Sequence, residues 1–247
     1  MPRTIDRALI VGGSRGSGRE IALALSEAGT ETTVVARGSD ALEALKAVAP
    51  RVRAIATDAS ADGVAVRLMR ERDPDLVVLA VGHEPKMAPF HEQSWEDFSG
   101  SWNIDTRIAH GFSAAALTLP MRRGGTIVSF SSGAALAGSR LTGGYAGAKR
   151  MQHFISDYAQ READRLGLDL TFHTVIPKQL VAGSVLGEKA ATAYARAAGI
   201  SIDAFMAQWD VPLTPAMIAR HVTELALSGE RSGKAIVLTG TGMGELP

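Results

Sequence analysis

Apolar residues in this 247-residue chain form short continuous runs, and segments with helical periodicity separate these runs. Leu76-Val-Val-Leu-Ala-Val81 and Thr126-Ile-Val-Ser-Phe130 are apolar almost throughout, which is typical of parallel strands covered on both faces. The predicted strands are 7–12, 31–36, 51–57, 75–81, 125–131, 169–176 and 234–239. The predicted helices are 16–29, 39–48, 61–72, 94–119, 144–166 and 214–228. Strict alternation of strand and helix predicts an α/β fold with a doubly wound, mostly parallel seven-stranded sheet in a single domain, 1–247.

The composition of the chain argues against several classes of protein and of functional site. The 26 basic and 26 acidic residues cancel, so charge gives no case for binding nucleic acid or an anionic membrane. The absence of cysteine excludes disulfides, a thiol nucleophile and Cys-ligated metal, and the histidines lack metal-ligand spacing, so no metal is expected. No apolar run approaches the ~20 residues of a transmembrane helix, and the first residues do not resemble a secretory signal. A cytoplasmic location is therefore expected.

A glycine-rich turn, Gly12-Gly-Ser-Arg-Gly-Ser-Gly18, lies between the first predicted strand and the first predicted helix. Glycines at such a point permit a tight turn and let a pyrophosphate approach the backbone at the helix N-terminus. The spacing is not the strict G-x-G-x-x-G, and a turn of this kind can also be a simple connector. Its strand–turn–helix context favours nucleotide binding.

Tyr145 and Lys149 are four residues apart in the predicted helix 144–166, and Ser131-Ser132 precede them at the end of a strand. Residues at this spacing share a helix face, so the Lys149 ammonium can lie beside the Tyr145 phenol. A fixed cation lowers the pKa of a phenol and lets it exchange a proton near neutral pH. The alternative is a core tyrosine with a lysine extended along it.

Taken together, these motifs resemble those of the classical short-chain dehydrogenase/reductase family along nearly the whole chain. The glycine turn is similar to that family's cofactor turn, with Gly12 in place of the usual threonine. Ser132 lies 13 residues before Tyr145, the typical spacing, and Asn103 matches the family's mid-helix asparagine. The resemblance implies a Rossmann-type fold and the catalytic residues Ser132, Tyr145, Lys149 and Asn103.

The resemblance also implies hydride transfer between a nicotinamide cofactor and a carbonyl or alcohol substrate. Tyr145 would be the general acid and base, and Lys149 would lower its pKa and hold the nicotinamide ribose. Ser132 would donate a hydrogen bond to the carbonyl oxygen, and Asn103 would position a water that links Lys149 to solvent. The cofactor-binding residues expected are Gly12, Ser14, Arg15, Gly16, Ser17, Gly18, Arg37, Asp58, Ala80, Gly82, Tyr145, Lys149 and Pro177.

The end of the second strand bears on the choice of cofactor. NAD-preferring members of the family usually carry an acid there, whereas this chain has Ala36-Arg37-Gly38. The planar fork of an arginine matches a phosphate, and Arg15 lies within the glycine turn. The two arginines therefore predict a preference for NADP(H), with NAD(H) as the second choice. The alternative is that both arginines are ordinary surface charges.

Three positions depart from the family pattern. The Asn-Asn-Ala-Gly after the fourth strand is Leu79-Ala-Val-Gly82 here, and the Pro-Gly after the sixth strand is Pro177-Lys178. The hydroxyl residue that usually follows is Ala182, and Ser184 is a candidate to replace it. Segment 178–213 contains Phe205, Met206 and Trp209, and it is interpreted either as a substrate lid or as an ordinary pair of surface helices.

Two other functions stay open. One is a 3-oxoacyl-[acyl-carrier-protein] reductase, in which Arg122 and Arg123 would meet an acidic carrier. The other is a non-catalytic NADP-binding sensor, although such proteins commonly lose the tyrosine or the lysine. The family also commonly forms tetramers, so we expect a homo-oligomer, a tetramer or a dimer, with Phe154, Ile155 and Tyr158 at the interface.

Overall fold

The structure, a computed structural model, describes residues 4–119, 121 and 124–246. Its strands are β1 Arg7–Val11, β2 Glu31–Ala36, β3 Arg53–Ala56, β4 Leu76–Leu79, β5 Gly125–Phe130, β6 Leu170–Pro177, β7 Ala235–Thr239 and β8 Gly242–Glu245. They form one sheet in the order β3-β2-β1-β4-β5-β6-β7-β8. Every pairing is parallel except that of β7 with β8. The predicted Rossmann-type, doubly wound single domain is confirmed.

The strand count of seven is wrong, because the described sheet has eight strands. After β7 the chain turns back at Gly242, whose φ is +143°, and pairs antiparallel with β7 through Leu238 and Met243. The segment Gly-Met-Gly-Glu has little intrinsic preference for a strand. Its extended form depends on pairing with the exposed edge of β7, which the sequence pattern alone does not reveal.

The helices are α1 Gly16–Glu27, α2 Ser39–Val48, α3 Val64–Arg72, α4 Trp95–Ser101, α5 Arg107–Thr118, α6 Ala134–Ala137, α7 Gly144–Leu166, α8 Val185–Ala198, α9 Ile202–Met206 and α10 Pro215–Leu227. A 3-10 turn occurs at Phe90–Glu92, and a π-helical turn, Trp102–Thr106, joins α4 to α5. The predicted helix 94–119 is therefore one helical path with a wider turn inside it. A π turn is an i→i+5 distortion that often lies at functional sites.

The sheet is covered on both faces, as its apolar strands predict. One core cluster joins the sheet to α1, α2 and α10 through residues such as Ile21, Leu42 and Val222. The other joins it to α3, α5 and α7 through residues such as Leu68 and Phe112. Strands β2 and β3 extend the sheet on one side of β1, and β5 to β8 extend it on the other side, beyond β4. The order in which strands are added therefore changes direction between β1 and β4. In such sheets ligands bind beyond the carboxyl ends of the strands at that point.

Segment 178–213 leaves β6 and returns to the sheet by way of α8 and α9. A bridge between Val181 and Leu213 closes its base, so the segment forms a loop that stands above the carboxyl ends of the strands. Arg122 and Arg123, which the carrier-protein alternative invokes, lie outside the described residues. Among the described helices, none combines the length and the apolar character needed to span a bilayer.

Candidate active site

A cleft of about 1010 Å³ opens at the carboxyl ends of the central strands. Val11 at the end of β1, Ala36 at the end of β2 and Phe130 at the end of β5 line its floor. Residues of α8 and α9 cover its other side. This volume suits an extended ligand together with a second small molecule.

The glycine turn forms one wall of the cleft, and two of its glycines are required by packing. A Cβ on Gly12, where φ is +87°, would lie 2.8 Å from the carbonyl oxygen of Ala80. A Cβ on Gly18 would lie 2.5 Å from the carbonyl oxygen of Gly12. Side chains at these positions would push the turn away from β4 and close the path along the backbone.

Helix α1 begins in this turn with unsatisfied backbone donors. Its N-cap residue, Arg15, makes no side-chain cap, and the first turn of the helix carries no acid. Free N–H groups and the helix dipole at this point favour an anion, and the adjoining cleft gives a phosphate room to reach them. The residues present therefore fit a dinucleotide.

All of the predicted cofactor-binding residues line the same cleft. They are Gly12, Ser14, Arg15, Gly16, Ser17, Gly18, Arg37, Asp58, Ala80, Gly82, Tyr145, Lys149 and Pro177. Their strand-end positions account for this, since parallel strands bring their carboxyl ends to one edge of the sheet. The sequence thus located one wall and the floor of the cleft.

Arg37 and Asp58 lie near each other at the far end of the cleft. Arg37 follows β2, is exposed, and lowers the pKa of Asp58 only weakly. The main cause of the lowered Asp58 pKa is hydrogen bonding, because one carboxylate oxygen accepts from the backbone and the hydroxyl of Ser60 at 2.9 and 2.7 Å. Among the described residues neither Arg15 nor Arg37 forms an ion pair.

Tyr145 and Lys149 lie in the first turns of α7, which a glycine anchors against α4. A Cβ on Gly144 would lie 1.8 Å from the carbonyl oxygen of Phe98, so this position tolerates no side chain. The close approach sets the position of the helix relative to β5. The Lys149 Nζ then lies 5.5 Å from the centroid of the Tyr145 ring.

The two candidate serines have different partners. The Ser131 hydroxyl is buried and donates to the backbone carbonyl of Lys149 at 2.7 Å. Ser132 lines the cleft, and its Oγ accepts from the backbone N–H of Ala134 at 3.2 Å. Ser132 therefore presents its hydroxyl to the cleft beside Tyr145, whereas Ser131 ties β5 to α7.

The Lys149 ammonium lies against two backbone carbonyls and one buried carboxylate. Its Nζ is 3.1 Å from the Asp105 Oδ2, 3.1 Å from the Val81 carbonyl and 3.3 Å from the Phe130 carbonyl. The side chains of Lys149 and Asp105 are 4% and 0% exposed. The other Asp105 oxygen accepts from the backbone N–H of His83 at 2.6 Å.

The structure does not bring Asn103 to the cleft, which corrects the sequence-based placement. Asn103 is exposed on the outer side of the π turn, and its amide donates weakly to the Ser99 hydroxyl at 3.4 Å. Two residues further on, about 200° around a helix, Asp105 faces Lys149. The π turn sets which residue points inward, and no sequence signal marked it beyond the nearness of Asp105 to Asn103.

Burial raises the pKa of Tyr145 above its usual value of 10.0, and this is the largest influence on the phenol. Lys149 and hydrogen bonding with Ser132 lower the pKa, in the direction that the sequence predicts, while Asp105 and Tyr194 raise it. The net direction is opposite to the sequence expectation. At neutral pH Tyr145 is a protonated phenol, which can donate a proton.

Three aromatic side chains of the covering segment line the cleft above Tyr145. Tyr194 stacks on Phe205 with ring centroids 5.8 Å apart, and Phe205 meets Trp209 edge to face at 6.0 Å. The Tyr194 hydroxyl also contacts the hydroxyl of Ser139, which follows α6. These contacts connect the covering segment to the far wall of the cleft.

Ser184, the candidate replacement for the missing hydroxyl at Ala182, is committed to the backbone. Its hydroxyl donates to the Val181 carbonyl at 2.7 Å and accepts from the Gly187 N–H at 3.1 Å, which caps α8. An ion pair between Glu84 and Lys189 joins the loop after β4 to α8 at the rim. Over residues 4–119, 121 and 124–246, no group of three histidine or acidic side chains is placed to hold a metal ion.

Comparison with known proteins agrees with this geometry. An uncharacterized oxidoreductase of Mycobacterium tuberculosis is 29% identical over 136 residues, which is 51% of this chain and 51% of that protein. This chain therefore spans about half the length of the curated relative that it matches.

Solved structures show the same fold at low identity. A sorbitol-6-phosphate 2-dehydrogenase from Erwinia amylovora superposes with a TM-score of 0.81 at 19% identity, covering 94% of this chain and 98% of that one. A levodione reductase gives a TM-score of 0.83 at 20% identity, with 96% and 98% covered. A short-chain dehydrogenase from Streptomyces avermitilis gives 0.76 at 22% identity, with 96% and 90% covered.

The sequence profile of the short chain dehydrogenases matches residues 6–211, which include the glycine turn, the Tyr145–Lys149 pair and most of the covering segment. With the cleft and the sheet order described above, this match is decisive: the chain belongs to the short chain dehydrogenase family.

Proposed function

We propose that this protein is an NADP(H)-dependent oxidoreductase that transfers hydride between nicotinamide and a ketone or secondary alcohol, with Tyr145 as the general acid and base. Membership of a dehydrogenase family supports an oxidoreductase that acts on CH–OH donors and binds a nicotinamide dinucleotide. The observation that carries the proposal is the meeting of Ser132, Tyr145 and Lys149 in the same cleft as the glycine turn.

The cofactor would lie along the floor of the cleft. The glycine turn and the free N–H groups of α1 would receive its pyrophosphate, and Asp58 would lie at its adenine end. Such a cofactor supplies or accepts the hydride. Every residue expected to hold it lines the cleft, which supports a single NADP-binding domain with an embedded substrate lid at about 178–213.

Tyr145 would donate its phenol proton to the oxygen of the carbonyl substrate in reduction and accept a proton in oxidation. Ser132 would donate a hydrogen bond to the same oxygen, where negative charge grows as hydride arrives at carbon. Lys149, held by two backbone carbonyls and the ion pair with Asp105, would place its ammonium beside the phenol. In reduction Tyr145 would start as the phenol, which is its form at neutral pH.

The charges at the end of β2 support NADP(H) over NAD(H). Arg15 and Arg37 both line the cleft, are exposed and form no ion pair among the described residues. The acid that follows most closely, Asp40, accepts from the Ser39 hydroxyl and does not line the cleft. A 2′-phosphate in this part of the cleft would therefore meet two guanidinium groups, while the nearby Asp58 carboxylate accepts hydrogen bonds from Ser60.

The covering segment supports a substrate with an apolar or ring-shaped group beside its carbonyl. Tyr194, Phe205 and Trp209 offer ring faces and edges to the cleft, and Leu186 adds an aliphatic side chain. Such surfaces bind apolar groups through burial of area and ring packing.

The decisive experiment is a screen of ketones and secondary alcohols with NADPH and NADP⁺, following absorbance of the reduced nicotinamide. Oxidation of NADPH with at least one ketone, and faster turnover with apolar cyclic ketones than with polyhydroxy ketones, is the expected result. No turnover with any ketone or alcohol, by a protein that binds NADPH, would contradict the proposal.

The two alternatives predict different results in the same assay. A β-ketoacyl thioester turned over far faster than any free ketone would favour the 3-oxoacyl-[acyl-carrier-protein] reductase. NADPH binding without turnover of any substrate would favour the sensor. The close packing of Lys149 and Tyr145 supports an enzyme over a sensor, because a sensor needs neither residue.

A homo-oligomer, dimer or tetramer, is part of the proposal. Phe154 and Tyr158 on the outer face of α7 are 40% and 60% exposed, and their rings stack with centroids 6.1 Å apart. An exposed aromatic pair on a long helix is typical of an interface. Light scattering of the wild type and of Phe154→Glu tests this, with dissociation to monomers expected for the variant. The cytoplasmic location stays a prediction.

A further inference from the structure

Asp105 is a fully buried carboxylate that contacts Lys149 from behind the lining of the cleft, and the sequence motif gave no role to it. Its Oδ2 lies 3.1 Å from the Lys149 Nζ, and its Oδ1 accepts from the His83 N–H at 2.6 Å. It belongs to the π turn, whereas Lys149 belongs to α7 and His83 to the loop after β4. One side chain therefore connects three elements that meet below Tyr145.

A buried charge of this kind is costly unless its partner is well placed. The Lys149 Nζ donates hydrogen bonds to the Val81 and Phe130 carbonyls, and the Asp105 Oδ2 lies 3.1 Å away as an ion-pair partner without hydrogen-bond geometry. The two carbonyls only solvate the cation, whereas the carboxylate also neutralises it. An asparagine at this position, as the family resemblance led us to expect nearby, would leave the ammonium's charge uncompensated.

The compensation acts on the phenol beside it. Lys149 alone favours the phenolate of Tyr145, and a carboxylate on the far side of the ammonium opposes that effect. Other charged or titratable groups face the same space from neighbouring elements. They are Tyr194 on α8, Lys178 after β6, Arg140 after α6, His83 after β4, and the Glu84–Lys189 ion pair at the rim. None of these is an anion in contact with Lys149, whereas Asp105 is fully buried and lies 3.1 Å from the Lys149 Nζ.

We propose that Asp105 is a positioning residue: it pairs with Lys149, holds the ammonium below Tyr145 and sets how strongly that ammonium acts on the phenol, so that the pH dependence of the reaction depends on Asp105. The inference rests on the proposed function. In reduction a bound nicotinamide would supply a hydride to the carbonyl carbon, the π electrons would move to oxygen, and that oxygen would take the Tyr145 proton. Tyr145 then regains a proton from solvent, so atoms and charge balance.

A titration that needs neither substrate nor cofactor tests the inference. Near-ultraviolet absorbance of tyrosinate is followed against pH for the wild type and for Tyr145→Phe, and the difference between the two curves belongs to Tyr145. In the wild type its midpoint is expected above the ordinary value of about 10. In Asp105→Asn, measured with the same Tyr145→Phe subtraction, the midpoint is expected about one pH unit lower than in the wild type.

A matched control removes a carboxylate from an exposed ion pair nearby. Asp62 is 94% exposed and pairs with Arg107 at 2.7 Å, outside the cleft. Asp62→Asn is expected to leave the Tyr145 midpoint unchanged. The same midpoint in Asp105→Asn as in the wild type would overturn the proposal.

The pH dependence of turnover gives a second readout once a substrate pair is known. The rise of kcat/KM for alcohol oxidation with pH is expected to move to lower pH in Asp105→Asn by the same shift, while the affinity for cofactor changes little. If Asp105→Asn does not fold, the wild type decides alone, since a Tyr145 midpoint below about 10 contradicts the proposal. Absence of turnover would instead remove the proposed function and leave the titration result standing.

Discussion

The two ends of the cleft differ in the groups that line them and in how deeply those groups are buried. The glycine-turn end, comprising residues 12–18 and Arg37, consists of bare backbone, free N–H groups and exposed arginines. The tyrosine end, comprising Ser132, Tyr145 and Lys149 with Asp105 behind them, consists of side chains that contact one another, and Lys149 and Asp105 are almost fully buried. Exposed groups act independently and contribute by degrees, whereas members of a buried polar network depend on one another. Substitutions at the tyrosine end should therefore have large effects, and those at the glycine-turn end graded ones.

Tyr145→Phe should have the largest effect. Loss of the phenol hydroxyl removes the proton donor, and turnover is expected to fall by about 10²–10⁴-fold. Binding of NADPH, followed by its fluorescence, is expected to stay within about threefold of the wild type because the glycine-turn end is intact. Tyr158→Phe, on the exposed face of the same helix, is the control and should turn over like the wild type. Near-normal turnover in Tyr145→Phe would refute the assignment of the proton donor.

Lys149→Met tests the mutual dependence at the tyrosine end. It leaves the Asp105 carboxylate buried without its cation, and the free energy of unfolding is expected to fall by about 3–5 kcal/mol. The matched change Lys189→Met breaks the ion pair of Lys189 with Glu84, in which the two side chains are 55% and 40% exposed. It is expected to lower the free energy of unfolding by less than about 1 kcal/mol. Chemical denaturation measures both. Equal losses in the two variants would erase the contrast between the buried and the exposed pair.

His173 is a buried titratable side chain outside the cleft, and it makes the stability of the protein depend on pH. It is buried on β6, its Nδ1 accepts from the Lys234 N–H at 3.2 Å, and burial lowers its pKa to about 4 from 6.5. The unfolded chain therefore binds the proton more tightly than the folded protein does, so stability is complete above about pH 6.5 and falls as the pH drops toward 4. The expected loss is about 3 kcal/mol.

Denaturation of the wild type and of His173→Gln at pH 7, 5 and 4 measures this loss. The glutamine has no charge to gain, so the decline between pH 7 and pH 4 is expected to be about 3 kcal/mol smaller in the variant. A variant that loses as much stability as the wild type over this interval would show that another group carries the acid sensitivity.

Arg37→Ala should have a moderate effect, limited to the binding of NADPH. Loss of a guanidinium that faces a 2′-phosphate is expected to weaken NADPH binding by about tenfold and to leave NADH binding unchanged. Arg53→Ala, which removes an exposed arginine of β3 that does not line the cleft, is the control. Tighter binding of NADH than of NADPH by the wild type would reverse the proposed preference.

Asn103→Ala should have the smallest effect. Asn103 lies outside the cleft, on the exposed side of the π turn, and we expect turnover within about twofold of the wild type, as for surface substitutions in general. A loss of turnover comparable to that of Tyr145→Phe would restore the role that the sequence motif assigned to Asn103 and remove the contrast with Asp105.

The sequence by itself determined the order of strands and helices, the glycine turn between β1 and α1, and the placement of Tyr145 and Lys149 on one helix face. These features follow from local periodicity, from glycine's conformational freedom and from fixed spacing along a helix. Each can be read within a window of a few residues, because the groups involved are neighbours in the chain.

Only the tertiary structure decided which residue of the π turn faces Lys149, whether β7 gains an eighth strand beside it, and in which direction the Tyr145 pKa moves. Asp105 meets Lys149 across 44 residues of chain, and the phenol's proton affinity sums burial with charges from α7, α8 and the π turn. Such quantities depend on distances between segments that are far apart in sequence. Local pattern carries no information about those distances, so the electrostatics of the site emerge only when the sheet and helices have been assembled.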